Sequence, residues 1–338
     1  MNMWWLLPTV AIVALLLTGA LRHYALARSL IDIPNARSSH VVPTPRGGGV
    51  SIVVSFLLAL LLTASLGLIA WPLTWALFGA GAGIAVLGFL DDHGHISARW
   101  RLLGHFIAAA WALFWIGGLP PLTVMGFAVD LGWIGHVLAA VYLVWLLNLY
   151  NFMDGIDGIA SVEAICVCLG SALIYWLTGH ELIALTPLLL AFAVAGFLYW
   201  NFPKARIFMG DAGSGFLGVT LGVLSLQAAW VAPQLLWSWL ILLGVFITDA
   251  TWTLLRRLLR GDRVYEAHRS HAYQFASRLF GKHPPVTLAV VAINVGWLLP
   301  VALLVGTGTI DGLLGLLLAY LPLIVLAVKF KAGEKEPG

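Results

Sequence analysis

Charge is what this sequence has least of. Asp, Glu, Lys and Arg make up 10% of its 338 residues, against about 25% in a soluble globular chain. So few charges cannot cover a water-facing surface of ordinary size, and a mean hydropathy of +0.96 excludes one. Cysteine is equally scarce. Cys166 and Cys168 stand two apart in an apolar run, where a helix would turn them away from each other. No disulfide framework or zinc spacing exists. The stretch from Met1 to Val13 lacks the basic segment of a secretory signal; Arg22 and Arg28 follow the first apolar run instead of preceding it. No internal repeat of the kind that marks many transporters is evident.

What is present is apolar: 61% of the residues are hydrophobic. They gather into eleven runs, at 3–21, 48–67, 70–90, 103–118, 133–149, 160–178, 183–200, 214–231, 234–255, 286–305 and 310–328. A helix crosses a bilayer in roughly 20 such residues. Segment 119–132, with Pro120, Pro121 and Asp130, reads as a loop that could form a small hairpin. The expected fold is all-α: a polytopic transmembrane bundle of about 11 helices, one domain over 1–338, with a large loop at 256–285.

Lys and Arg orient that bundle. With the N-terminus outside, every one of the 18 Lys and Arg residues falls on the cytoplasmic side, as the positive-inside tendency requires. The C-terminus is then cytoplasmic too. The far-side loops hold only Asp130, Glu181, Asp311 and His180. The same assignment gathers Asp91, Asp92, Asp154, Asp157, Asp211, His268 and His271 on the cytoplasmic face. The net charge of +3 is therefore a matter of topology and of phosphate-facing loops, and argues for no nucleic-acid partner.

Several motifs on that face carry chemistry. Asp91-Asp92, in Gly88-Phe89-Leu90-Asp91-Asp92-His93-Gly94, sets two carboxylates side by side; a metal or a cation would offset their repulsion, unless they simply form a solvated helix end. The loop from Asn148 to Ile159 holds Asn151, Asp154, Gly155, Asp157 and Gly158 with no Lys or Arg. Unpaired acids beside a membrane are costly unless used, although Asp and Asn also cap helices. From Asn201 to Gly215, Lys204 and Arg206 can neutralise phosphate, Phe208 can stack on a base, and Asp211 can hold a metal through oxygen. Arg46, just ahead of Gly47-Gly48-Gly49, suits a phosphate or carboxylate partner. His268 and His271 stand three apart, a spacing that a helix would align on one face; with Arg269 they suit phosphate better than metal. Glu163 and Asp249 lie inside apolar runs, as proton relays or internally paired groups.

In that order, the motifs resemble the polyprenyl-phosphate N-acetylhexosamine-1-phosphate transferase family. Asp91-Asp92 resembles its paired-aspartate motif. Asn151-Phe152-Met153-Asp154-Gly155-Ile156-Asp157-Gly158 resembles its Asn-x-x-Asp-Gly-x-Asp-Gly motif. Phe208-Met209-Gly210-Asp211-Ala212-Gly213-Ser214 resembles its Phe-Met-Gly-Asp-x-Gly-Ser motif, and the His268/His271 loop resembles its cytoplasmic histidine motif. The stretch from Ser38-Ser39-His40 to Pro45-Arg46-Gly47-Gly48-Gly49 is similar to the bacterial O-antigen or common-antigen initiating branch. His40, and His268-Arg269-Ser270-His271 in place of three consecutive histidines, depart from the peptidoglycan branch.

The resemblance implies a bacterial inner-membrane enzyme that starts lipid-linked O-antigen or other surface polysaccharide, in the cell envelope and lipopolysaccharide pathways. Undecaprenyl phosphate would attack a UDP-N-acetylhexosamine, releasing UMP, with Mg2+ as cofactor and Mn2+ as its substitute. The implied catalytic residues are Asp91, Asp92 and Asp211, with Asp211 and then Asp91 on the metal. Asp154, Asp157, Asn201 and Phe208 would lie near the uridine, Asn151 and Arg46 elsewhere around the substrate, and His268, Arg269 and His271 on the diphosphate. Membrane lipids and a second copy in a homodimer are the implied neighbours. A transporter of an anionic solute is the alternative; it needs polar residues across the midplane, where only Glu163 and Asp249 offer acids.

Overall fold

Each of the eleven runs forms helix in the computed structural model, which describes residues 4–34, 42–94, 96–262 and 268–335. In order, these are α1 (Leu6–Ala27), α2 (Val50–Ser65), α3 (Trp71–Gly94), α4 (Ala98–Ile116), α5 (Gly132–Met153), α6 (Ile159–Leu177), α7 (Leu185–Asn201), α8 (Asp211–Val231), α9 (Pro233–Leu242), α10 (Gly244–Leu259), α11 (Ala272–Phe280), α12 (Pro284–Ile293), α13 (Leu299–Gly306) and α14 (Gly312–Lys329). Among the described residues, eight helical segments suit a bilayer crossing by length and composition, or nine if the bent α9–α10 pair counts as one span. The difference from eleven lies in two helices. α2 has 16 residues, and α4 begins with Arg99 and Arg101.

The ninth run was expected as one helix and is two, bent by 70°. The break falls before Gly244, where a Cβ would lie 3.1 Å from both Leu323 and Tyr320; glycine lets α14 pack into the bend. In the tenth run, a π turn at Asn294–Leu298 separates α12 from α13. It lies just ahead of Pro300, whose missing N–H interrupts the ordinary ladder. The 256–285 segment is not all loop: it contains the end of α10, all of α11 and the start of α12.

Two small antiparallel pairs mark opposite ends of the bundle. β1 (Ile31–Asp32) pairs with β2 (Thr44–Pro45) beside the acidic motifs. At the other end, β3 (Leu122–Val124) and β4 (Phe127–Val129) form the hairpin expected in 119–132. Trp237 Nε1 donates to the Thr123 carbonyl at 3.0 Å, and Asp311 accepts from Met125 N at 2.9 Å.

At the centre stands α8, 83% buried along its span against 22% for α1. In lipid, helices associate through close packing of small residues, and α8 is approached by backbone on several sides. A Cβ on Gly88 of α3 would lie 2.5 Å from the Asp211 carbonyl carbon, and one on Gly218 of α8 would lie 2.7 Å from Leu147 Cα in α5. These contacts place the ends of α3 and α5 against the first turn of α8. Gly88→Ala should therefore force α3 off α8, costing about 1–3 kcal/mol. A lowered thermal midpoint in detergent checks this, with Gly83→Ala, where a Cβ meets nothing within 4 Å, as the neutral control.

Candidate active site

Carboxylates converge where α8 begins. Asp211 opens that helix, where the helix dipole favours an acid. Asn151, in the last turn of α5, donates through Nδ2 to Asp211 Oδ1 at 3.0 Å and to Ser214 Oγ at 2.9 Å. Asp92 comes from the last turn of α3. Arg46 donates to its carbonyl oxygen and holds Nη1 3.7 Å from its Oδ1. Asp92 Oδ2 is buried with no hydrogen-bond partner.

The α5–α6 loop adds Asp154 and Asp157. Burial, then the charges of Asp211, Asp92 and Asp157, push the Asp154 carboxyl up from 3.8 to about 7. Asp157 Oδ1 lies 3.2 Å from His283 Nδ1, and its carbonyl accepts from Thr287 Oγ1 at 2.8 Å. This loop is tied to the α7–α8 loop by Asn201, 3% exposed. Asn201 Oδ1 accepts from Gly158 N at 2.9 Å, and its Nδ2 donates to the Ile207 carbonyl at 3.0 Å. The β2 end joins the same frame: Phe208 N donates to Pro45 O at 2.8 Å, and Gly48 N to Phe208 O at 2.9 Å.

These residues enclose a cavity of about 240 Å³. Of the residues expected at a site, Arg46, Asp92, Asn151, Asp154, Asp157, Asn201, Phe208 and Asp211 line it. Asp32, Ser214, Gln274 and His283 join them without having been singled out. Ser214 stood inside a motif already noted, and Gln274 lies three residues beyond the histidine motif. Asp32 is brought in by the β1–β2 pairing, which the sequence does not announce. His283 had one available signal, a histidine directly before Pro284-Pro285 at the start of a helix.

Asp91 faces elsewhere. Its Oδ2 pairs with Arg101 and its Oδ1 accepts from Ile96 N at 2.7 Å. It borders a second cavity, of about 220 Å³, between α3, α4, α5 and α8. Leu87, Leu102, Leu147 and Phe152 make this cavity mainly apolar, with Arg101, His105 and Asn148 as polar members. Asn151 and Asp211 line both cavities and so form the wall between them.

Of the cations expected from the basic loops, Arg46 lines the cavity. Among the described residues, His268, Arg269 and His271 do not line the acidic cavity, nor do Lys204 and Arg206. Arg206 instead stacks on Tyr199 and Trp200, 4.6 and 4.5 Å from their ring centroids. His268 and His271 share no helix face, because α11 starts only at Ala272 and His271 is its N-cap. Their rings stack nevertheless, with centroids 4.9 Å apart. Burial, followed by His271 and Arg257, lowers His268 to about 3, so its ring is neutral near pH 7 in the ligand-free protein. The intramembrane acids are internally paired. Glu163 Oε2 accepts from Asn294 Nδ2 at 2.7 Å, and Asp249 accepts from the start of α11, so neither points to a conduction path.

Asn201→Ala would leave Gly158 N and Ile207 O unpartnered in a buried place, at about 1–3 kcal/mol each. The expected outcome is a lower thermal midpoint, with Asn201→Asp intermediate because its oxygen still accepts from Gly158 N. Differential scanning fluorimetry of the three proteins in one detergent checks the order.

Comparison with known proteins agrees with this geometry. Residues 74–229 match the family described as Glycosyl transferase family 4, a stretch that takes in Asp91, Asp92, the 151–158 motif and Asp211. A Bacillus subtilis protein named "Probable undecaprenyl-phosphate N-acetylglucosaminyl 1-phosphate transferase" is 30% identical over 267 residues, covering 77% of this chain and 73% of its own. The decaprenyl-phosphate N-acetylglucosaminephosphotransferase of Mycolicibacterium smegmatis is 29% identical over 317 residues, 83% of this chain and 77% of its own. A phospho-N-acetylmuramoyl-pentapeptide-transferase of Moorella thermoacetica is 32% identical over 198 residues, 54% of this chain and 61% of its own. With the B. subtilis relative aligned over most of both chains, and the family match spanning the motifs that build the cavity, this chain belongs to glycosyl transferase family 4.

Proposed function

We propose that the chain transfers N-acetylhexosamine 1-phosphate from a UDP-N-acetylhexosamine to undecaprenyl phosphate, releasing UMP. The observation that carries this reading is the pair of cavities sharing Asp211 and Asn151. One is polar and sized for part of a nucleotide sugar. The other is mainly apolar, with the Arg101–Asp91 pair at its polar edge, and suits a phosphate on a hydrocarbon chain. An acceptor phosphate oxygen forms the new bond to the sugar-bearing phosphorus. The bond from that phosphorus to the bridging oxygen breaks, and its electron pair leaves with UMP.

A phosphate monoester with a second pKa near 6 is largely dianionic at pH 7, so positioning matters more than deprotonation. Arg101 is placed to orient the acceptor, Arg46 to meet donor phosphate, Phe208 to stack on the uracil, and Asn151 to hold Asp211 still. His283 is the other basic side chain lining the polar cavity.

Five acids against Arg46 and His283 make that cavity hostile to a diphosphate unless a cation intervenes. A divalent cation fits: the donors are hard oxygens, Asp92 Oδ2 has no partner, and Asp154 is raised by burial and then by the neighbouring carboxylates. Asp211 with Asp92 would hold Mg2+, or Mn2+ in its place; this pairing replaces the Asp211–Asp91 set suggested by resemblance. Among the described residues no cluster of three potential ligands is ready-made, which suits a metal that takes one or two carboxylates and completes its shell with phosphate and water. When bound, the cation would neutralise charge on the transferred phosphoryl and the departing UMP.

The relatives' names favour N-acetylglucosamine as the sugar. The distribution of all 18 Lys and Arg residues favours a bacterial inner membrane with the site on the cytoplasmic face. An O-antigen role rests on the stretch from Ser38 to Gly49, of which 38–41, including His40, lies outside the described residues.

Purified protein supplied with undecaprenyl phosphate, Mg2+ and a panel of UDP-N-acetylhexosamines should release UMP. Release with none of them overturns the reading. Asp211→Asn should lower the rate at least 100-fold while leaving the protein folded by size-exclusion chromatography. The raised Asp154 also sets a pH dependence. Without divalent cation the unfolded chain loses that proton near 3.8 but the folded protein holds it to about 7, so stability falls as pH rises between those values. The thermal midpoint in chelator should be lower at pH 7.5 than at pH 5, and added Mg2+ should raise it more at pH 7.5.

A further inference from the structure

Asp249 lies on α10 beyond the 70° bend, 6% exposed, and does not line the polar cavity. Its carboxylate nevertheless gathers one place in the chain. Oδ1 accepts from Ala272 N at 3.0 Å and lies 3.2 Å from His271 Nδ1, while Oδ2 accepts from Tyr273 N at 3.0 Å. The start of α11 is thus pinned to α10 by both oxygens of a single side chain. From that start, Tyr273 reaches the aspartate loop: its hydroxyl donates to the Phe152 carbonyl at 3.0 Å. It also stands where a side chain on residue 155 would be, since a Cβ on Gly155 would lie 2.1 Å from it. The next residue, Gln274, lines the cavity itself and accepts from His271 N through Oε1 at 3.2 Å.

We propose that Asp249 is a positioning residue for the transfer. Through the start of α11, it presses Tyr273 against residues 152–155 and sets Gln274 into the cavity lining, and so holds Asn151, Asp154 and Asp157 in the geometry that receives the donor. The inference rests on the transferase reading above. The chemistry requires a carboxylate: both oxygens accept, whereas an amide of the same shape turns an N–H toward either Tyr273 N or the Ala272 N and His271 pair. His268 and His271 then matter as part of this clamp, which accounts for a histidine motif that stands beside the cavity without lining it.

The test compares wild type, Asp249→Asn, Tyr273→Phe and the double variant by UMP release, with saturation curves for the UDP-sugar and thermal midpoints measured on the same preparations. Loss of a charge-assisted hydrogen bond predicts a rise in KM for the UDP-sugar of about tenfold in Asp249→Asn, with kcat within about threefold. Tyr273→Phe, which removes only the hydroxyl bond to Phe152, should raise KM in the same direction. The double variant should be no worse than the poorer single one, because both act through one link. An unchanged KM in either single variant overturns the proposal, as does a fall in rate that tracks lost folded protein with KM unchanged. Fully additive effects overturn it too. If wild type itself releases no UMP, the transferase reading fails, and with it the role assigned to Asp249; an active wild type with indifferent variants overturns the Asp249 role alone.

Discussion

Like charges brought close together are the constraint on which this molecule turns. Asp92, Asp154, Asp157 and Asp211 arrive from three different stretches of chain and meet at the first turn of the most buried helix. Nothing in the electrostatics of carboxylates would assemble them. Packing does it instead, because glycine at position 88 lets α3 lie on the Asp211 backbone and glycine at 218 lets α5 lie on α8. The energy of close helix contact in lipid holds the acids where their own repulsion would separate them. The Asp154 carboxyl, raised by burial and then by its neighbours' charge, and the unpartnered Asp92 Oδ2 accompany that crowding. They are also the features on which the proposed cation site rests.

In the transfer proposed above, the two cavities divide the labour that two phosphate substrates demand. A soluble nucleotide sugar and a lipid phosphate must approach one phosphorus from opposite sides. A shared wall made of Asn151 and Asp211 allows that, because Asp211, the proposed metal ligand, faces both. Arg46 and Arg101 then serve separate chambers, each tied to one member of the Asp91-Asp92 pair. Adjacent residues near a helix end point in different directions, so a paired-aspartate motif can belong to two sites at once. His268 and the buried His271 do not line the polar chamber.

Much of this was legible in the residues. Eleven apolar runs became eleven helical stretches, and the Pro120-Pro121 segment became a hairpin, because hydrophobic length and proline act locally. Eight of the twelve residues expected at a site line one cavity, since each lay in a motif whose acids and glycines had no business in a membrane segment otherwise. Helix breaks were not legible in the ninth and tenth runs: Gly244 and Pro300 sit among apolar residues, and whether glycine bends a helix depends on what packs against it. The division of Asp91 from Asp92 was hidden for a related reason, since side-chain direction at a helix end follows from the neighbouring helix.

Composition determined that the chain is a membrane protein, because so few charges cannot cover a water-facing surface, and the length of its apolar runs made it helical. The order and spacing of acids, asparagines and glycines determined the family, because such residues persist at a membrane surface only where they are used. Tertiary structure decided which of them share a chamber, that His283 and Asp32 join them, and that the histidine loop stands behind the site. Those outcomes depend on contacts between residues more than a hundred positions apart, such as Asp157 with His283 and Phe152 with Tyr273. No local property of the chain encodes such a contact; only the packed bundle creates it.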